Sequence, residues 1–394
     1  MNKQNNKIIL GLFFLATIPY AIWILYFTFS FSTKIFIATL TWIACILIIK
    51  NNIQTYASTH YNNKKINKLV LFLLSITIIQ IIRYAVLEHF YPFTTVLTHP
   101  YYLLCLCTPI LYYAYTQPIS LKNIYRYGVI LIIISTIFIQ SNYFLLYLSP
   151  ILCYKILVHK QTNRKLIIIC IVSLILIIKD GIIPNSINGD TQRALLTILP
   201  YSLVAFFLCK FIKIQKKIAY IIAITSIVTP IILLTYSVYT KISIFTYTNE
   251  IKNENLNTDT RSFLYEELLT DLNQKGNFIL GVGIGNGYNS PAFKTQERDT
   301  SEVHFLHILS KGGILWLISY MIIIILAIFH ALQNSNNYLC IGGSIMLSGF
   351  FVSGFIIDST GFNFMHIIIW FYIFICSSSK WNSLSDKKIY QLLH

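Results

Sequence analysis

Four side chains have the type and placement to do chemistry. Arg193 closes the polar stretch PNSINGDTQR (184–193) and Arg261 opens the run DTRSFLYEELLTDL (259–272). Glu302 and His304 sit together in DTSEVHFLHILSKGG (299–313). Arginine presents a rigid fork of donors that matches phosphate oxygens. In the first turn of a helix it is joined by free backbone N–H groups and the positive end of the helix dipole. That combination suits a diphosphate. The same field keeps a first-turn imidazole neutral, as a general base must be, so His304 is the candidate base and Glu302 its rival. Plainer roles stand beside these. Arg193 equally anchors a span at the interface, and Arg261 equally pairs with Glu266 or Asp259. Glu302 fits a capping box, and His307 competes with His304 for any duty assigned to it.

Two further sites place charge where lipid makes it costly. Arg83 lies near the end of an apolar stretch, and Lys179 stands beside Asp180 in another, as a lone cation or half of a self-neutralised pair. The stretch LGVGIGNGYNSP (280–291) carries glycines at 281, 283, 285 and 287. It follows no strand and lacks a Gly-Lys-Ser/Thr, so a turn that packs closely is the better expectation than a nucleotide cradle.

These residues need elements to hold them, and composition says what kind. Of 394 residues, 56% are apolar and 11% charged, with mean hydropathy +0.65. That is the profile of a polytopic membrane protein. We read about twelve transmembrane helices: 8–29, 35–49, 69–87, 100–116, 127–139, 143–157, 166–183, 194–212, 218–239, 314–332, 339–357 and 362–377. With both termini cytoplasmic, the inner segments hold nineteen of the thirty Lys and Arg, and Asp386 as their acid. This is the positive-inside pattern, so the net charge of +16 is a topology signal and does not point to nucleic acid. Residues 1–394 thus form a single transmembrane domain. Residues 240–313, between spans nine and ten, form one large extracytoplasmic loop with nine of the fourteen acids. Two short helices are expected in it, over 259–272 and 299–311. All eight cysteines fall in spans and no C-x-x-C pair occurs, so neither a disulfide framework nor a metal site is expected.

Order and topology together give a resemblance. The run from Arg261 through ILGVGIGNG (279–287) to HFLHILSKGGIL (304–315), with the earlier Arg193, resembles the O-antigen polymerase and ligase superfamily of bacterial membrane glycosyltransferases. The resemblance covers roughly residues 185–320. It implies a metal-independent, cofactor-free, inverting transfer of glycan from an undecaprenyl-pyrophosphate carrier at the periplasmic face of the inner membrane. Arg193 and Arg261 would hold the diphosphate, with Arg83 and Lys179 as further candidates, and His304 or Glu302 would deprotonate the acceptor hydroxyl. The implied partners are the lipid-linked oligosaccharide, membrane lipids and a chain-length regulator protein. Ligases of the superfamily follow their loop histidine with Asn, whereas Phe305 follows His304, so polymerase is the expectation and ligase the alternative. A lipid-linked oligosaccharide flippase is the alternative of another class; it predicts repeated halves and mid-membrane charges, whereas no repeat is found and the charges cluster at one face.

Overall fold

The computed structural model describes residues 3–21, 30–56, 63–115, 119–137, 143–152, 164–182, 189–211, 215–240, 262–291, 295–357 and 361–393. Among them, regular structure is helical apart from one hairpin, Tyr288–Ser290 (β1) antiparallel to Thr295–Arg298 (β2). The longer helices are α1 (Lys3–Ala21), α2 (Phe31–Tyr56), α3 (Lys64–Val86), α4 (Ile119–Ile137), α5 (Arg164–Ile182), α6 (Gly189–Thr197), α7 (Leu199–Phe211), α8 (Gln215–Thr240), α9 (Ser262–Gln274), α10 (His304–Asn334), α11 (Tyr338–Ser353) and α12 (Phe364–Ser377). Among the described residues, stretches of α2, α3, α8 and α10 are long and apolar enough to cross a bilayer, and shorter apolar helices lie beside them. The protein is an all-α, membrane-embedded chain.

Helix α12 (FMHIIIWFYIFICS) is apolar all round, and every one of its residues is buried. It packs against α10 and α11, and α3, α7 and α8 pack around that centre. A helix without a polar face belongs in the interior of a bundle. The outer faces of α3 and α10 carry exposed Ile78, Ile82, Ile318 and Ile322, as a lipid-facing surface should.

The expected spans at 100–116 and 194–212 are not continuous helices. The first is divided into Leu103–Leu106, a 3₁₀ turn at Thr108–Ile110 and Leu111–Ala114, with Pro109 at the break. The second divides at Ile198 into α6 and α7, two residues before Pro200. Proline lacks the N–H and its ring clashes with the carbonyl one turn back.

The expected helix over 299–311 is also corrected. It begins at His304, and no side chain caps it. His304 N–H donates to Ile357 O (3.0 Å) and Phe305 N–H to Gly354 O (3.0 Å), so its orphan donors are met by carbonyls just past α11. Asp299 and Glu302 are engaged elsewhere. The helix then runs on into the next span with a kink at Gly313 (φ 77°, ψ 179°).

That kink is where the glycine turn fits. Ser310 O accepts from Val282 N–H (2.7 Å), and Ile314 N–H donates to Phe278 O (3.1 Å). The backbone groups freed by the break in α10 are thus satisfied by the loop. A Cβ on Gly281 (φ 73°) would overlap Ser310 O, and one on Gly313 would overlap Ile279 O. Arg83 clamps the turn from α3, donating to Leu280 O (3.0 Å) and Gly281 O (3.3 Å), while Gln80 donates to Leu280 O (2.6 Å).

Other bonds sort the connections into two groups. Phe90 N–H to Gly285 O, Phe362 N–H to Pro100 O and His304 N–H to Ile357 O gather 87–100, the glycine turn, 354–357 and 361–362 at one end of the bundle. Asn336 N–H to Asn382 O and Tyr338 N–H to Asp386 Oδ1 gather 334–338 with 378–386 at the other.

Gly281→Ala and Gly313→Ala should each sharply reduce the monodisperse fraction in detergent-phase size exclusion, because strain at positive φ adds to backbone overlap. Gly276→Ala (φ 65°), whose Cβ would meet nothing within 4 Å, should cost only about 1 kcal/mol. Equal losses in all three would refute the interlock.

Candidate functional site

Around the glycine turn the chain collects charge. Lys311, fully buried on α10, donates to Asn286 O (2.6 Å) and lies 4.9 Å from the ring centre of Tyr102. The Tyr102 hydroxyl donates to Asp299 Oδ2 (2.7 Å). His307, also fully buried, is occupied at both nitrogens: Nε2 bonds Tyr101 O (2.7 Å) and Nδ1 accepts from Ser301 N–H (3.4 Å). His99 stacks beside Tyr101 and Tyr102, with ring centres 5.1 and 5.3 Å away. The short segments 91–102, 297–301 and 307–311 thereby form one polar cluster at the head of α10.

The charges within it are matched. Burial alone would raise the Asp299 pKa, but the Tyr102 hydroxyl and the Lys311 ammonium outweigh it and hold the carboxyl below its usual range. Burial lowers His99 to about 4 against the pull of Asp299, with Lys34 and Lys311 adding to the fall. Tyr91 is pushed up to about 12 by burial and by the Asp299 and Glu297 charges. At neutral pH the cluster therefore holds ionised Asp299 with neutral His99 and Tyr91.

On the opposite side of the β2 segment lies a second group. Arg298 Nη2 donates to Glu302 Oε1 (2.9 Å), and Ser290 Oγ to Glu267 Oε2 (2.5 Å), around the buried Tyr288. Leu264, Leu268 and Leu272 on α9 are fully buried and seat that helix against β1 and α10.

The residues picked from sequence are distributed unevenly over this arrangement. Glu302 sits at its surface, 46% exposed at the side chain and paired with Arg298. Arg83 holds the glycine turn. His304 is fully buried, boxed by Phe305, Tyr320, Phe350 and His366 with ring centres 5.2–6.1 Å away, and neither ring nitrogen has a hydrogen-bond partner. His304 does stand in the first turn of α10, but α11 and α12 close over its ring, so it is not accessible as expected. Arg193 is half-buried on α6, which packs on α5, α7 and α11, and Lys179 is exposed on α5. Arg261 lies outside the described residues, immediately before α9.

Sequence reading missed Lys311, Asp299, Tyr102 and His99 as a unit. Lys311 carried a usable signal, since an ionisable residue leading into a span is functional by default. Its partner Asp299 stands at capping-box spacing from Glu302, and Tyr102 is 197 residues away from Asp299.

Because the unfolded imidazole of His99 takes its proton from about pH 6.5 downward while the folded one resists to about 4, stability should fall as pH drops through that interval. Thermal unfolding of the full chain should show Tm decreasing from pH 7 to 4.5, less steeply in His99→Gln; parallel curves would contradict a buried neutral His99. No family model, curated protein or solved structure matches this chain.

Proposed function

We propose that the protein is a polymerase of lipid-linked polysaccharide repeats, passing glycan from an undecaprenyl-pyrophosphate carrier to a sugar hydroxyl of another lipid-linked repeat. The reaction is an inverting displacement. The acceptor oxygen attacks the anomeric carbon, the bond to the diphosphate breaks, and the acceptor proton passes to a base. Fixed cations stabilise the diphosphate as its charge grows.

One observation supports this reading above others. An apolar groove of about 220 Å³, lined by Tyr201, Ser226, Pro230, Tyr265, Val352 and Phe355, opens between α7, α8 and α11. Its lining includes Tyr201 of α7, which follows the Arg193-bearing helix, and Tyr265 of α9. Helix α6, with Arg193, leads into α7, whose Tyr201 packs on Gly349 near the C-terminal end of α11. Tyr265 on α9, the helix that Arg261 precedes, donates to Phe355 O just beyond that end (2.7 Å). In this reading a polyprenyl chain occupies the groove, and Arg193 and Arg261 are the cations proposed to hold its diphosphate. Glu302, accessible to solvent, is the better base of the two candidates, and His304 is a packing residue. The ligase reading uses the same donor site and differs in acceptor. A break in a spanning helix is also a transporter feature, but the break in α10 is filled by Phe278 O and Val282 N–H.

Arg193→Ala and Arg261→Ala should abolish chain extension at normal protein level, reducing the surface-glycan ladder to single repeats. Glu302→Gln should cut transfer by about 10²-fold or more, whereas His304→Phe should keep it within a few-fold. Long polymer in both arginine variants would refute the diphosphate site, and an active Glu302→Gln with an inactive His304→Phe would return the base role to the imidazole.

A further inference from the structure

A second cleft, of about 390 Å³, lies beyond the end of α3 and is bordered by Asn286, whose O accepts from Lys311. Its walls are Glu88, His89 and Phe90 from one segment, Asn277 from the loop after α9, Asn286 from the glycine turn, and Glu297 from β2. The volume falls in the range of small-molecule sites, roughly 300–1,000 Å³.

We propose that this cleft binds carbohydrate and seats a neutral or amino sugar of the acceptor glycan. Its chemistry is selective. Carboxylates accept from hydroxyls and amides do both, the mixture a polyhydroxylated ligand requires. Phosphate is disfavoured, because Glu88 and Glu297 both face the cleft while Lys275, the one cation among its lining residues, is paired to Asp271 at 3.0 Å. Phe90, 66% exposed, offers an aromatic face at the rim for the apolar C–H side of a pyranose.

The walls are also preorganised. Phe90 N–H donates to both Gly285 O (3.1 Å) and Asn286 Oδ1 (2.9 Å), Tyr91 N–H donates to Gly285 O (3.0 Å), and Asn286 Nδ2 donates to Glu88 O (3.3 Å). The His89 ring lies 4.1 Å from that of Tyr84. Rigid walls lower the ordering cost of binding a flexible sugar. The assignment of that sugar as acceptor rests on the transfer reading above; the binding itself does not.

The test uses the full chain in nanodiscs and, as probe, repeat-unit oligosaccharide released by mild acid from the carrier lipid of the producing cells. Calorimetry should show the oligosaccharide binding, weakened about tenfold or more by Phe90→Ala and by Asn277→Ala and restored by Phe90→Tyr. Inorganic pyrophosphate should bind wild type and these variants equally. Failure of wild type to bind the oligosaccharide, or equal affinity in the alanine variants, would overturn the proposal. Should cleft variants lose sugar binding while Arg261→Ala still elongates polymer, the cleft stands and the transfer reading falls. Should Arg261→Ala abolish elongation while Phe90→Ala and Asn277→Ala bind and elongate normally, the reverse holds.

Discussion

The insertion of the glycine turn into the break of α10 is the constraint on which the rest of the site depends. A spanning helix that breaks must find other partners for its freed backbone groups, since hydrocarbon offers none. Here the partners are Val282 N–H and Phe278 O. The exchange demands backbone-to-backbone contact, which only the absent side chains of Gly281 and Gly313 permit. Arg83 and Gln80 then cover carbonyls of the turn, so α3 is joined to α10 through the loop. Lys311, which donates to Asn286 O, takes its position from that three-way junction. The second cleft does as well, because Gly285 and Asn286 hold the 88–91 segment.

Burial and hydrogen-bond partners set the ionisable groups at the head of α10 apart from one another. His304 and Lys311 are seven residues apart, two helical turns, and both are fully buried. Lys311 has an oxygen partner in Asn286 O and an aromatic face in Tyr102, whereas His304 has only rings around it and is sealed by α11 and α12. Of the pair at 302 and 304, only the carboxylate is open to solvent. His307, with both nitrogens bound to backbone, ties the 99–102 segment to the head of the helix and has no lone pair to offer.

The parts of this fold legible in the sequence were those set by local composition. Apolar stretches marked the helices, the expected helix over 259–272 corresponds to α9, and the glycine spacing marked a turn that packs closely. What escaped was decided by tertiary partners. Asp299 and Glu302 have capping-box spacing, but the donors at the start of α10 found Ile357 O and Gly354 O instead, so the helix began at His304. The same docking buried the imidazole that local reasoning had exposed. Arg83 looked like a ligand for an anion because a charge in a span is costly; its partners are carbonyls 197 and 198 residues away, which no local pattern announces.

The alternation of β2 and the residues after it explains how so many charges coexist in one small volume. Extended backbone turns successive side chains to opposite faces. Glu297 and Asp299 face the Lys311 side, where both lie close enough to attract that ammonium. Arg298, between them in sequence, points the other way to Glu302 and Tyr288. One strand therefore partitions two acid–base groups that would otherwise compete. Lys311 is balanced by Asp299 without drawing on Glu302, and the Glu302 carboxylate keeps an exposed face while Arg298 fixes its direction. Slipping this segment by one residue would exchange the two faces, placing Arg298 against Lys311. The backbone contact of Gly287 with Arg298, which a Cβ would disrupt, sets the register against that outcome.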